Sequence, residues 1–226
     1  MKKRYWAFLI GSWCLSVGMQ AAKVDTLSVH SDAMNKEVQV ITICPDKAMA
    51  GEKCPVLYLL HGYGGNAGTW LGIKPELPQI ADKEGIIFVC PDGKNSWYWD
   101  SPLNKEYRYE TFVSKELVNY IDKNFTTKVE RGGRAITGLS MGGHGSLWLS
   151  IRHKDVFGGG GSMSGGLDIR PFPNNWEMKK QLGEEASNKQ RWDGYLNLHS
   201  YYLLLQRHLY DGWITINFHD HPYLTR

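Results

Sequence analysis

The chain has 226 residues and a formal charge of +3, from 26 basic and 23 acidic residues. Three of the basic residues, Lys2, Lys3 and Arg4, stand at the very start. The rest of the chain is nearly neutral and makes no case for nucleic acid as a partner. Without a leader about 200 residues would remain, enough for one domain with a substantial core and no need of a second.

Lys2-Lys3-Arg4, a largely apolar span over 5–19 and the small residues Ala21 and Ala22 have the charged, apolar and cleavage regions of a secretory signal peptide. Residues 1–22 are therefore expected to be a leader, and 23–226 a single exported (secreted or periplasmic) domain. The apolar span is short for a bilayer core of roughly 30 Å, and Trp13 ahead of Cys14 is too bulky for a lipoprotein signal. No stable membrane insertion is expected.

Strand-like runs come next, at 26–29 and 37–44. Cys44 and Cys54 bracket the connection after them and are placed either to bridge in an oxidising compartment or to stay free. The run 56–60 reads as a buried strand that ends in the glycine-rich loop His61-Gly62-Tyr63-Gly64-Gly65-Asn66. A helical stretch near 76–83 leads to a strand at 86–90, where Cys90 reads as an inert buried thiol. Cys44, Cys54 and Cys90 lack metal-ligand spacing, and no cofactor is implied. The aromatic loop 91–102 precedes a helix over 110–125, in which Phe112, Val113, Leu117, Tyr120 and Ile121 fall at helical spacing. Alternating strands and helices predict an α/β fold: a mostly parallel sheet covered by helices on both faces, with antiparallel opening strands at one edge.

The apolar entry Arg134-Ala-Ile-Thr137 then runs into Gly138-Leu-Ser140-Met-Gly142, followed by a helix over 145–152 packed by Leu147, Trp148 and Ile151. Strand, sharp turn and helix around Gly-x-Ser-x-Gly are the grammar of a nucleophile elbow, with the glycines needed where backbone passes close. Ser140 is the candidate nucleophile. The loop after 56–60 is of the kind that supplies a second oxyanion-hole amide. The plainer alternative makes Ser140 a helix N-cap and the glycine loop an ordinary turn.

From about Glu37 to Trp192 the chain resembles the esterase family of α/β-hydrolases, which includes S-formylglutathione hydrolase, feruloyl and acetyl-xylan esterases and the mycolyltransferases. The resemblance rests on Tyr58-Leu-Leu-His-Gly-Tyr-Gly-Gly65, Pro91-Asp-Gly93 with Ser96-Trp-Tyr98, Phe125, Gly138-Leu-Ser-Met-Gly-Gly143, and Phe157 leading to Ser162-Met-Ser-Gly165. It implies an α/β-hydrolase fold and a serine carboxylic-ester hydrolase with an acyl-enzyme on Ser140. The oxyanion-hole amides would be those of Tyr63 and Met141, and the substrates polysaccharide or other small acyl esters. His61 would be structural. Trp97, Tyr98 and Trp99 would serve either as a glycan surface or as core and lid.

The resemblance stops near residue 194. In this fold the acid and then the base come after the serine, each behind a later strand. In the tail the assignable pair is Asp211 as acid and His219, or His221, as base, with 201–205 as the strand before them. Only eight to ten residues separate acid from base, too few for a crossover helix, which needs about a dozen. His199 and His208 precede that acid, and His144 and His153 on the elbow helix are expected at the surface. Residues 194–226 therefore read as unlike the family's end, and the fold as truncated there. An unpaired sheet edge, low stability and aggregation would result, aggravated by the four glycines at 158–161, which weaken a strand. The alternatives for function are an impaired remnant, a glycan-binding module lacking the triad acid and base, or an acyltransferase.

Overall fold

A computed structural model describes residues 22–166, 168–169, 171–196, 209–210 and 213–217. Its sheet has eight strands: β1 (Lys23–Ser31), β2 (Lys36–Cys44), β3 (Val56–Leu60), β4 (Ile87–Pro91), β5 (Arg134–Leu139), β6 (Gly159–Met163), β7 (Leu209–Tyr210) and β8 (Trp213–Asn217). They lie in the order β1-β2-β4-β3-β5-β6-β8-β7. The central four, β4-β3-β5-β6, are parallel, and antiparallel pairs flank them on both sides. This is the expected α/β arrangement, with the opening strands β1 and β2 at one edge.

The burial of each strand follows from its place. β1, at the edge, is exposed along most of its length, whereas every residue of β4 is buried and β3 is buried at four of five positions. A parallel strand covered on both faces must read as a near-continuous apolar run, as Val56-Leu-Tyr-Leu-Leu60 does. Side chains alternate between the faces. Tyr58, Leu60, Ile87 and Val89 enter one core with Phe112, Leu117, Ile121, Leu147 and Trp148. Leu59, Phe88 and Cys90 enter the other with Trp70, Leu77 and Ala81.

The 76–83 helix is found at Leu77–Glu84, closed by Gly85 in the left-handed region at φ 65°. The 110–125 helix is found as Tyr109–Thr111, a π-helical stretch Phe112–Leu117 and Val118–Asn124. The aromatic loop is core: Tyr98 and Trp99 are fully buried and Trp97 nearly so. Cys44, Cys54 and Cys90 are buried and unbridged. Among the described residues no helix is long and apolar enough to cross a membrane.

One expectation about the late strands, the unpaired edge, is corrected. A strand forms across the glycines at 158–161: β6 pairs with β5 from Gly159 opposite Ala135 to Met163 opposite Leu139. At Gly160 a side chain would clash, because an added β-carbon would lie 2.3 Å from Ser150 Oγ on the overlying helix. Glycine here lets helix and strand approach. β6 is not an open edge, since β8 pairs with it antiparallel, from Met163 opposite Trp213 to Gly159 opposite Asn217. The carboxyl ends of β3, β4, β5 and β6 share one rim of the sheet, where ligands of open α/β sheets bind.

Candidate active site

Ser140 is the single residue between β5 and the helix Met141–Arg152, and it holds φ 54° and ψ −115°, outside the regions a side chain prefers. Neighbouring backbone enforces this. Its N–H donates to the Met163 carbonyl at 2.8 Å, and its own carbonyl accepts from the His144 N–H at 3.0 Å, opening the helix. The flanking glycines have a direct steric cause: a β-carbon on Gly138 would lie 2.3 Å from the Gly142 carbonyl oxygen, and one on Gly142 would lie 2.3 Å from that of Leu60. Ser140 itself stays exposed while Met141 beside it is buried. It opens onto a cavity of about 200 Å³ lined also by Tyr63 and Met141.

The structure thus brings the three sequence-predicted residues Ser140, Tyr63 and Met141 to one cavity. Met141 is the first residue of its helix, so its N–H belongs to the first-turn set without an intrahelical acceptor. Tyr63 comes after His61 and Gly62 in the loop after β3, and a β-carbon on Gly62 would lie 3.5 Å from that of Ser140. The His61–Asn66 loop therefore sits directly against the elbow.

The opposite wall has no such signature in the sequence. Trp97, Ile169, Phe172 and Trp176 give the cavity an apolar side, while Asp168 and Ser164 add polar groups. Phe172, Trp176 and Tyr63 are exposed at 44%, 41% and 38%, so the aromatic surface offered to solvent at the cavity is theirs and not that of Tyr98 and Trp99. The Ser162-Met-Ser-Gly165 motif marks where this wall begins, but no residue pattern says that 168–176 folds back over Ser140.

His144, expected at the surface, is fully buried. Its Nε2 accepts from Trp99 Nε1 at 3.0 Å, and its Nδ1 donates to the Gly166 carbonyl at 2.7 Å. Burial lowers its pKa to about 4, only partly opposed by the Gly166 bond. The elbow helix is buried from Met141 through Ser150, so the rule of one wet face does not apply to it. His153 is half-buried against Glu110, whose carboxylate also accepts from Trp148 Nε1 and Arg152 Nε. Burial alone would raise Glu110, but bonds from His153, Arg152 and Trp148 hold it below the usual carboxylate value.

Asp211 and His219, with His199, His208, His221 and the run 201–205, lie outside the described residues. Among the described residues no histidine lines the cavity. None of the described His, Cys, Asp and Glu residues form a group of three or more able to hold a metal ion.

Comparison with known proteins agrees with this geometry. The family described as "Putative esterase" matches residues 31–216. An acetyl esterase of Caldicellulosiruptor saccharolyticus is 29% identical over 151 residues, covering 63% of this chain and 56% of that protein. A solved ferulic acid esterase is 30% identical with a TM-score of 0.58, covering 70% of this chain and 65% of the other. The substrate-bound structure of FphF, a fluorophosphonate-binding serine hydrolase of Staphylococcus aureus, is 18% identical with a TM-score of 0.67, covering 82% and 75%, and shares the fold. The chain spans 17–56% of the length of the curated relatives it matches.

Proposed function

Because the chain belongs to the "Putative esterase" family, we propose that it is an exported serine carboxylic-ester hydrolase that forms its acyl-enzyme on Ser140. The observation that carries this is Ser140 itself: an exposed hydroxyl on a strained strand-to-helix turn, opening onto the same cavity as Tyr63 and Met141. Ser140 Oγ attacks the ester carbonyl as a base takes its proton. The carbonyl oxygen, now negative, is met by the N–H groups of Met141 and Tyr63; the alcohol then leaves, and water releases the acid. Asp211 and His219 are the assignable acid and base by sequence order alone, and β8 carries the chain between them from Trp213 at the site end to Asn217 at the opposite end of the sheet, so neither is assigned to Ser140. The mixed apolar and polar cavity suits an acyl group, and the chain's acetyl esterase and xylanase/feruloyl esterase relatives support acyl esters of polysaccharides or of small alcohols as substrates.

The test uses short-chain nitrophenyl esters and a fluorophosphonate probe on the full chain. Turnover and labelling, both lost in Ser140→Ala, are expected; no turnover and no labelling would refute the proposal and leave a non-catalytic glycan-binding module. Acyl transfer to an added sugar in preference to water would identify an acyltransferase. Asp211→Asn and His219→Ala test the pair one residue at a time: slowed labelling puts that residue in the role, and labelling at the native rate removes it.

A further inference from the structure

We propose that His61 is a positioning residue: its imidazole fixes the orientation of the peptide between Gly62 and Tyr63 and so aims the Tyr63 N–H at the developing oxyanion. This rests on the esterase reading and extends it to a residue that touches neither substrate nor reacting atoms.

A trans peptide is planar, with N–H and C=O pointing in opposite directions. Whatever holds the Gly62 carbonyl therefore sets where the Tyr63 N–H points. Two donors hold it, His61 Nδ1 at 2.7 Å and the Gly65 N–H at 3.0 Å. The imidazole is itself fixed. Its Nε2 accepts the Gly93 N–H at 2.9 Å, so in the neutral ring the proton is on Nδ1, the tautomer able to donate to Gly62. His61 is buried, and Tyr98 packs edge-on to it with ring centroids 5.9 Å apart. The preceding peptide is also anchored, because Tyr98 Oη donates to the His61 carbonyl at 3.2 Å.

Asp92 Oδ1 lies 3.6 Å from His61 Nε2, beyond hydrogen-bond range for a ring whose Nε2 already accepts from Gly93. The Asp92 carboxylate is occupied by the Lys94 N–H and Nζ. The arrangement is thus a histidine held as a neutral, directional donor. A base would need a free lone pair on a ring nitrogen, and here both nitrogens are engaged.

The peptide held this way abuts the nucleophile: the β-carbon position of Gly62 is 3.3 Å from the Leu139 carbonyl oxygen and 3.5 Å from the Ser140 β-carbon. If the peptide were to rotate, it would withdraw one oxyanion donor while Ser140 and Met141 kept their places on the elbow. Loss of one such donor costs about 10²–10³ in rate.

The experiment compares His61→Asn with His61→Gln in the full chain. Asparagine can put its amide N–H near the place of Nδ1 and keep the bond to Gly62; glutamine reaches toward Gly93 and leaves Gly62 without that donor. His61→Gln is expected to lose about 10²–10³ in kcat, with KM within about threefold. It should lose a like factor in affinity for a boronic acid, which forms a tetrahedral anionic adduct on Ser140. His61→Asn is expected to recover at least about tenfold of both. A purely structural role would instead lower the folded fraction, with both variants losing kcat in proportion to thermal stability and sparing boronate affinity per folded molecule. Native rates and native boronate affinity in His61→Gln, with Ser140 still labelled, would overturn the inference and leave the esterase reading intact. An unlabelled Ser140 in the native chain would overturn both.

Discussion

Replacing Gly142 by alanine tests whether the contact between elbow helix and central strand sets the site. The new β-carbon would lie 2.3 Å from the Leu60 carbonyl oxygen and 2.6 Å from that of His61, both backbone atoms at the end of β3. Carbon–oxygen contacts settle at about 3.3–3.6 Å, so the start of the helix must retreat by about 1 Å. Overpacking of this kind costs about 1–3 kcal/mol, against about 1 kcal/mol gained from alanine's helix propensity, which leaves a net loss of about 0–2 kcal/mol. The rate should fall further than the stability, because the retreat carries Ser140 and the Met141 N–H away from the His61–Tyr63 loop. A misplacement of about 1 Å is worth about 10²-fold. Gly72 is the control: it is also helical, but an added β-carbon there meets nothing within 4 Å, so Gly72→Ala should be neutral or slightly stabilising. Urea midpoints give the stabilities, and fluorophosphonate labelling under matched folded fractions gives the rates. If Gly142→Ala unfolds and labels like Gly72→Ala, the steric account of the elbow is wrong.

Ser140→Gly should be more stable than the native chain, by about 1–3 kcal/mol, since glycine adopts φ 54° and ψ −115° without the strain a β-carbon brings, and it should be inert; the urea midpoint reads the first and labelling the second. His144 gives a pH dependence whose sign is set by its pKa falling from 6.5 to about 4 on burial. Between those values the unfolded chain binds a proton that the folded one does not. Stability is therefore lost as pH drops from 6.5 toward 4, by up to about 3 kcal/mol, with no further change from this residue below that. His144→Gln should flatten this limb of a stability-versus-pH curve, and an unaltered limb would refute the assignment. Cys90, buried with its thiol pKa pushed up to about 12, should resist iodoacetamide in the folded protein and react on unfolding, as read by mass spectrometry.

The sheet is legible in the sequence wherever one residue pattern admits one environment. Val56-Leu-Tyr-Leu-Leu60 is too apolar for anything but a strand covered on both faces, and the glycines around Ser140 have a steric cause that the motif already states. Periodicity fails on the elbow helix. His144 falls where a half-exposed helix would carry a surface residue, but this helix is wrapped by the aromatic loop and β6, so its histidine becomes a link between Trp99 and Gly166. Tyr98 and Trp99 stay open in the sequence for a matching reason: their bulk fits a sugar platform or a core equally well, and only the packing against His61 and His144 decides for the core. Strand propensity alone counts the glycines at 158–161 as a weakness. Ser150, on the overlying helix and so outside the strand's own pattern, is what makes glycine the fitting residue at position 160.

Backbone strain shows how the rim differs from the rest of the molecule. Of the non-glycine residues described with positive φ, only Asn35 lies in the β1–β2 turn; Lys94, Trp97, Tyr98, Ser140, Ser164, Trp176 and Glu177 all come after the carboxyl ends of β4, β5 and β6. Each such residue costs of order 1–3 kcal/mol and persists only where its surroundings over-determine it. The surroundings here are identifiable. Trp97 stacks on Trp99 at 5.5 Å and donates from Nε1 to the Trp176 carbonyl at 3.3 Å. Tyr98 is fixed through its N–H to Ser96 Oγ and through its hydroxyl to the His61 carbonyl. Ser140 is held between Met163 and His144. The buried aromatic and histidine network is thus the support that keeps an exposed serine, the Tyr63 loop and an aromatic wall in conformations none of them would adopt alone. Loosening it at Trp99 or His144 should cost catalytic geometry and stability together, since Trp97, Tyr98 and Trp99 share one buried core with Tyr58, Leu60 and Val89 of the parallel strands.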